Sequence, residues 1–169
     1  FRKNFINNNP GPWYYEVQDL SNHYRITDLQ CSLGLSQLEK VDRFVKKRVE
    51  LASNYFDAFK NCKNFTIGQE FNKYSSYHLF ILRINFKKIR KSRAQIMGLL
   101  RSRGIGSQVH YIPIPMHPLY KKRGYKINAI PNSINYYNEA LSIPIYYDLS
   151  YKDQIKIINN LKNILEKWI

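Results

Sequence analysis

Tyr24-Arg25-Ile26-Thr27-Asp28-Leu29-Gln30-Cys31-Ser32-Leu33-Gly34-Leu35-Ser36-Gln37-Leu38 is the stretch from which the rest of the 169-residue sequence can be read. Thr27 or Asp28 can cap a helix, because a side-chain oxygen there accepts the unpaired amides of the first turn. From that point Leu29, Leu33, Leu38, Val41, Val45, Ala52, Tyr55, Phe56 and Phe59 recur at the three- and four-residue steps of one helix face. Glu39, Lys40, Asp42, Arg43, Lys46, Lys47 and Glu50 fall on the wet side. The spacing predicts one helix over 28–61, bent near Gly34 and about 50 Å long. That is more than a small domain needs, so one end is expected to pack against something else. Just upstream, Ser21-Asn22-His23-Tyr24-Arg25 is dense in hydrogen-bonding groups. Free amides at a helix start together with an arginine suit an anion, although the same residues also make an ordinary polar loop.

The flanks differ in character. Residues 1–20 read as an extended arm, with the breaker run Asn7-Asn8-Asn9-Pro10-Gly11-Pro12 followed by Trp13-Tyr14-Tyr15. Three adjacent aromatics in an arm are expected to lie over another surface. After Gly68, Tyr77 to Ile84 reads as a strand, and Ser92-Arg93-Ala94-Gln95 as a capping box opening a helix with Ile96, Leu99 and Leu100 inward. That helix stops at Arg103-Gly104. A second strand is predicted over 105–111, after which Pro113 and Pro115 bar regular structure. A short helix over 133–141 leads into Ser142-Ile143-Pro144, and Ser150 caps a last helix with Ile155, Ile158, Leu161, Leu165 and Trp168 inward. Helices alternating with short strands make an α+β layer arrangement.

Composition limits the function classes. Hydrophobic residues make up 44% and aromatics 15%, enough for a core, and no apolar run approaches a membrane span. Lys and Arg number 27 against 12 acids, a formal charge of +15. Such a balance suits phosphate-bearing partners, but abundant Ile, Lys, Asn, Tyr and Phe also mark A/T-rich coding, and the cations are dispersed. Cys31 and Cys62 stand outside any C-x-x-C or zinc-ligand spacing, as reduced cytoplasmic cysteines do. The opening Phe1-Arg2-Lys3 has no initiator Met, and the reading is of a part of a longer product.

Chemistry-bearing motifs are few. There is no Gly-rich phosphate loop, G-x-S-x-G or H-E-x-x-H, and no metal site is expected. His110 and His117 flank the rigid segment Tyr111-Ile112-Pro113-Ile114-Pro115. Prolines hold such a segment open, so imidazoles and a phenol there can meet sugar hydroxyls or a diphosphate; a proline-rich crossover with a structural histidine reads equally well. His78, on a β-rich run, is more often a core or edge histidine.

In order and spacing these segments resemble one family. Tyr24 to Leu38 is similar to the N-Y-R-x-T-D-x-Q-x-A-L-G-x-x-Q-L signature of the DegT/DnrJ/EryC1/StrS aminotransferases, pyridoxal-phosphate (PLP) enzymes acting on nucleotide-linked keto sugars. Tyr77-His78-Leu79-Phe80, Gly104 to Pro113, His117-Pro118-Leu119-Tyr120 and Tyr136 to Pro144 follow in the family's order. The arm Gly11-Pro12-Trp13-Tyr14-Tyr15-Glu16 is similar to the branch making UDP-4-amino-4,6-dideoxy-N-acetyl-altrosamine for pseudaminic acid.

The resemblance implies the C-terminal small domain of a fold-type I PLP-dependent transferase: a long connecting helix and a small, mainly antiparallel sheet covered by helices. It divides the chain into an arm and active-site loop (1–27), the connecting helix (28–62) and the small domain (63–169). It implies a homodimer with composite active sites and a cytoplasmic location. The cofactor-bearing lysine would lie upstream of Phe1, leaving no catalytic residue here and no activity in this chain alone. Arg25 matches the family arginine that reaches the PLP phosphate of the partner subunit, while His23 or Asn22 stands in for the family asparagine. His78, His110, Tyr111 and His117 map to the sugar-nucleotide side. Ile134 replaces a frequent glutamate, so no site is assigned there. The implied reaction moves an amino group from glutamate to a UDP-linked 4-keto-6-deoxy sugar, for surface-glycan biosynthesis. Two other readings stand beside it, a non-catalytic relative and a basic nucleic-acid-binding module. Against the latter, the aromatics follow core periodicity rather than an exposed basic stripe.

Overall fold

Thr27 opens the first helix through a capping box. Its Oγ1 accepts from the Gln30 amide (3.3 Å) and its own amide donates to Gln30 Oε1 (2.9 Å). The computed structural model describes residues 22–166; the expected arm with its aromatic cluster, Ser21 and Trp168 lie outside them. Two units result, one ending at Glu39 and one beginning at Lys40.

The first unit is carried by α1 (Asp28–Leu38). The helix runs unbroken through Gly34, the expected bend, and ends instead at Glu39–Lys40, so the single helix over 28–61 is replaced by two. None of its residues is buried: Leu29 is 81% exposed, Leu33 63% and Leu38 65%. The expected inward face is not realised here: the leucines of α1 are spread round the helix and exposed.

The second unit holds the core. Helix α2 (Val41–Phe59) buries Leu51, Ala52, Tyr55 and Phe59, while Val41 stays largely exposed. Three short strands follow in chain order, β1 (Phe65–Ile67), β2 (Phe80–Ile84) and β3 (Ala140–Ile143), paired antiparallel in the order β1-β2-β3. Phe65 lies opposite Ile84, and Leu82 opposite Leu141. The period-2 pattern of β2 puts Phe80, Leu82 and Ile84 inward at 0% exposure and Arg83 outward, where it pairs with Glu139 (2.7 Å). Tyr55 stacks on Phe59 (5.6 Å) and tilts onto Phe80 (4.9 Å), and Phe59 meets Phe65 edge-on, which joins α2 to the sheet.

Helices α3 (Arg93–Arg101), α4 (Pro118–Lys122), α5 (Pro131–Glu139) and α6 (Tyr151–Leu165) complete the unit. The Ser92 capping box forms as expected, with Ile96 and Leu100 fully buried. In α6, Ser150 caps the Asp153 amide, and Ile157, Ile158, Leu161, Ile164 and Leu165 face inward. Ile155 does not; the buried stripe runs one position further round, through Gln154. Gln154 is tolerated inside because Asn54 donates to its Oε1 (2.9 Å) and its Nε2 donates to the Leu51 carbonyl (2.7 Å), tying α6 to α2.

Several expected elements change; the strand expected over 77–84 begins only at Phe80. Residues 105–111 form no strand, only a single antiparallel bridge between Gln108 and Ser142. Gly104 and Gly106 flank Ile105 and give an extended ladder little to hold. The predicted helix over 133–141 starts at Pro131 and stops at Glu139, and Ala140–Ile143 becomes β3. Pro113 and Pro115 do not exclude all regular structure, since Ile114–Met116 closes a 3-10 turn. The result is an α+β unit, a three-stranded antiparallel sheet covered by helices.

Tyr55 supplies the test of this core. Its hydroxyl donates to the Pro144 carbonyl (2.8 Å), and burial, with Tyr146 acting in the same direction, pushes the phenol's pKa up. A phenol that ionises less readily folded than unfolded contributes stability that is intact below about pH 10 and is lost as pH rises beyond it. Tyr55→Phe is expected to cost about 1 kcal/mol near neutrality. It should also flatten the decline of urea-measured stability above about pH 10; an unaltered decline would remove Tyr55 as the titrating group.

Candidate functional site

The loop before β2, the segment after α3 and the loop after β3 meet at one cleft of about 630 Å³. His78 and His110 both line it, together with Ser107, Tyr146, Asp153 and Lys156. Lys156 and Asp153 are the two residues of ordinary fixed charge in this lining, so the +15 of the chain is not concentrated here. Asp153 is already engaged, accepting from Ser150 Oγ at 2.6 Å.

Each histidine has an identifiable support. His78 follows Tyr77, whose φ of 45° lies in the left-handed region that a bulky side chain rarely enters. Tyr77 is held there by burial (2% exposed) and by its hydroxyl, which accepts from the Asn72 amide at 2.7 Å. Arg48 of α2 closes the arrangement. Its Nη1 donates to the carbonyls of Tyr77 (3.1 Å), His78 (3.2 Å) and Ile145 (3.3 Å), so one guanidinium joins the loops before β2 and after β3. His110 is half-buried, and its Nδ1 lies 2.7 Å from the hydroxyl of Ser142 on β3. The Gln108–Ser142 bridge, with backbone bonds of 3.1 and 2.8 Å, fixes the segment that carries it.

The other expected site residues fall elsewhere. Tyr111 is 70% exposed, packs edge-on against His110 (4.7 Å) and lines a neighbouring groove with Ile112, Pro113 and Tyr136. His117 is exposed and lies outside the histidine cleft. Its backbone joins the 3-10 turn to α4, its amide donating to Ile114 and its carbonyl accepting from Tyr120 and Lys121. Asn22, His23 and Arg25 belong to the first unit, in the non-helical segment before α1, and all three side chains are exposed. Among the described residues no cluster of His, Cys, Asp and Glu could hold a metal ion, and no helix is long and apolar enough to cross a membrane. Cys31 and Cys62 are free thiols.

Residues 4–162 match the DegT/DnrJ/EryC1/StrS aminotransferase family. The chain belongs to that family. Over 159 residues it is 35% identical to the spore coat polysaccharide biosynthesis protein SpsC of Bacillus subtilis, covering 92% of this chain and 41% of SpsC. Over 156 residues it is 35% identical to the UDP-4-amino-4,6-dideoxy-N-acetyl-beta-L-altrosamine transaminase of Campylobacter jejuni, again 92% and 41%. Among solved structures, Helicobacter pylori PseC, an aminotransferase involved in the biosynthesis of pseudoaminic acid, superposes with a TM-score of 0.80 at 28% identity. That match covers 94% of this chain and 43% of PseC. Spr1654 of Streptococcus pneumoniae in its PLP form gives 0.80 at 26%, over 93% of this chain and 40% of that one. The chain spans about two fifths of the length of the curated relatives it matches.

For a family member, then, the sequence reading selected two residues that share a cleft and missed those that hold them. Ser142 carried the one available signal, a lone polar residue in the run Ala140-Leu141-Ser142-Ile143. Arg48 carried none, since it sits among the basic residues of a wet helix face. Arg48→Met leaves the three carbonyls without their cation and is expected to lower stability by about 1.5–3 kcal/mol, as for other bonds to charged groups. A urea titration measures this, and an unchanged midpoint would show that Arg48 does not hold the loops.

Proposed function

We propose that these residues are the C-terminal part of a PLP-dependent sugar aminotransferase that moves an amino group from glutamate to a UDP-linked 4-keto-6-deoxy sugar, in pseudaminic acid or related surface-glycan biosynthesis. The observation that carries the reading is the joint placement of His78 and His110 in one cleft of a chain whose family and 35%-identical relatives include a UDP-sugar transaminase. Imidazole nitrogens suit the hydroxyls and diphosphate oxygens of such a substrate, and the exposed phenol of Tyr111 and imidazole of His117 extend the same chemistry along the adjoining segment. The proposal keeps the arm and loop at 1–27, the connecting segment at 28–62 and the small domain at 63–169, and it places the protein in the cytoplasm as a homodimer with composite sites.

The residues before α1 fit the phosphate of PLP. Arg25 presents a planar, permanently charged fork, and His23 and Asn22 offer an imidazole and an amide beside it, all exposed. When bound, PLP supplies the electron sink for amino transfer, on a lysine that this reading places upstream of Phe1. Arg25 binds and orients the phosphate; His110 and His78 orient the sugar nucleotide.

In a full-length protein carrying the upstream domain, the reaction is tested directly with UDP-4-keto sugars and glutamate, and absence of amino-sugar product would reject the proposal. Arg25→Ala should weaken cofactor retention about tenfold or more, as loss of a charge-assisted bond does, read from the cofactor's visible absorbance after gel filtration. Unchanged occupancy would take Arg25 out of the site. His110→Ala should raise KM for the UDP-keto sugar well above any change in KM for glutamate; equal effects would count against a sugar-side role.

A further inference from the structure

We propose that Ser142 is a positioning residue that holds His110 as the tautomer with its proton on Nε2, so that the imidazole offers the cleft a hydrogen-bond donor and selects an oxygen acceptor. This deepens the functional reading above and rests on it only for the identity of the acceptor, a diphosphate, carbonyl or hydroxyl oxygen of the sugar nucleotide.

The argument is one of satisfying buried groups. Ser142 is 5% exposed, within the fully buried strand β3, and its backbone amide and carbonyl are both taken by Gln108. Its hydroxyl has one proton to place and has His110 Nδ1 at 2.7 Å. Were Nδ1 the protonated nitrogen, it would donate to Ser142 Oγ, and the hydroxyl proton, at the cleft wall, would be left without an acceptor among the described residues. That is the expensive arrangement, since an unmade bond from a buried donor costs far more than an unused lone pair. With the hydroxyl donating to Nδ1, the proton is satisfied and the imidazole carries its own hydrogen on Nε2. Among the described residues Nε2 has no protein partner, and His110 lines the cleft. A second feature fixes the ring. Tyr111 packs edge-on against it at 4.7 Å, with the rings 84° apart. The imidazole is therefore held through Nδ1 and by its contact with the Tyr111 ring, and the remaining nitrogen is available to a ligand. A donor at that point accepts oxygen ligands and disfavours a ligand that presents only N–H groups.

The ring nitrogens can be read by long-range proton–nitrogen NMR on the 169-residue chain at about pH 8, above the ordinary imidazole range. His110 is assigned by its loss in His110→Asn. The expected spectrum has an unprotonated Nδ1 and a protonated Nε2. A protonated Nδ1, or two nitrogens averaged by exchange between tautomers, overturns the proposal, and the native chain alone decides this. Ser142→Ala should convert the fixed pattern into an averaged one, an effect that loss of packing elsewhere would not produce; a retained pattern also overturns it. The functional reading fails separately. If the Nε2 tautomer is found while His110→Ala in the full-length enzyme leaves both KM values unchanged, Ser142 still positions His110, and the sugar-side assignment of the cleft falls.

Discussion

Strand β3 cannot leave its peptide groups bare. All four of its residues are buried, so its amides and carbonyls must find partners on both edges. β2 serves one edge, with Phe80, Leu82 and Arg83 opposite Ile143, Leu141 and Ala140. At Ser142 the other edge is served by Gln108. That single bridge draws the segment after α3 against the sheet and sets His110 beside the Ser142 hydroxyl. The same strand leads into Pro144 and Ile145, whose carbonyls take the Tyr55 hydroxyl and the Arg48 guanidinium of α2. Core packing and cleft geometry are therefore one arrangement, coupled through the hydrogen-bond needs of four residues.

This coupling explains which parts of the structure were legible in the sequence. Local chemistry could be read where the residue and its partner are near in the chain. The cap read at Thr27 or Asp28 falls on Thr27, and the Ser92–Gln95 box and the Ser150 cap form as read; all are three-residue relations. The inward positions of α3 and most of those of α6 follow from helical periodicity for the same reason. What failed was non-local. The strand read over 105–111 reduces to one bridge because its partner residue, Ser142, lies 34 positions from Gln108 and meets it alone. β1 has three residues, too few to show an alternation. Helix α1 has its leucines spread round it and none buried, and Ile155 yields to Gln154, which becomes an inward residue only through Asn54 and the Leu51 carbonyl.

The site divides in the same way. Residue type and family order selected His78 and His110, and the fold brings them to one cleft. Tyr111 and His117 follow His110 closely in the chain, yet neither lines that cleft: Tyr111 lines the neighbouring groove, and His117 lies past the 3-10 turn at Ile114–Met116. Of the residues that hold His78 and His110, Ser142 had one local signal, as the lone polar residue of its run, and Arg48 had none. Arg48 reads as one more lysine-like residue on a basic helix until the carbonyls of Tyr77, His78 and Ile145 converge on it. Charge was the least informative feature. Only Lys156 and Asp153 bring fixed charge to the cleft lining, and Asp153 already accepts from the Ser150 hydroxyl, so the chain's cations are not gathered at this cleft.

In PLP chemistry the protein shapes what the cofactor acts upon. Electron flow belongs to the cofactor, whereas discrimination between substrates comes from donors and acceptors held rigidly where the substrate's oxygens lie. Rigidity is what the second unit provides. A left-handed Tyr77 is kept in place by its own burial and by a cation on its carbonyl; a histidine is fixed by a buried hydroxyl and an aromatic edge. Backbone strain of this kind persists only when the surroundings over-determine it. The core under β2 and β3 thus supports the His110 ring at its rim in a defined orientation, and carries His78 on a backbone held by Arg48.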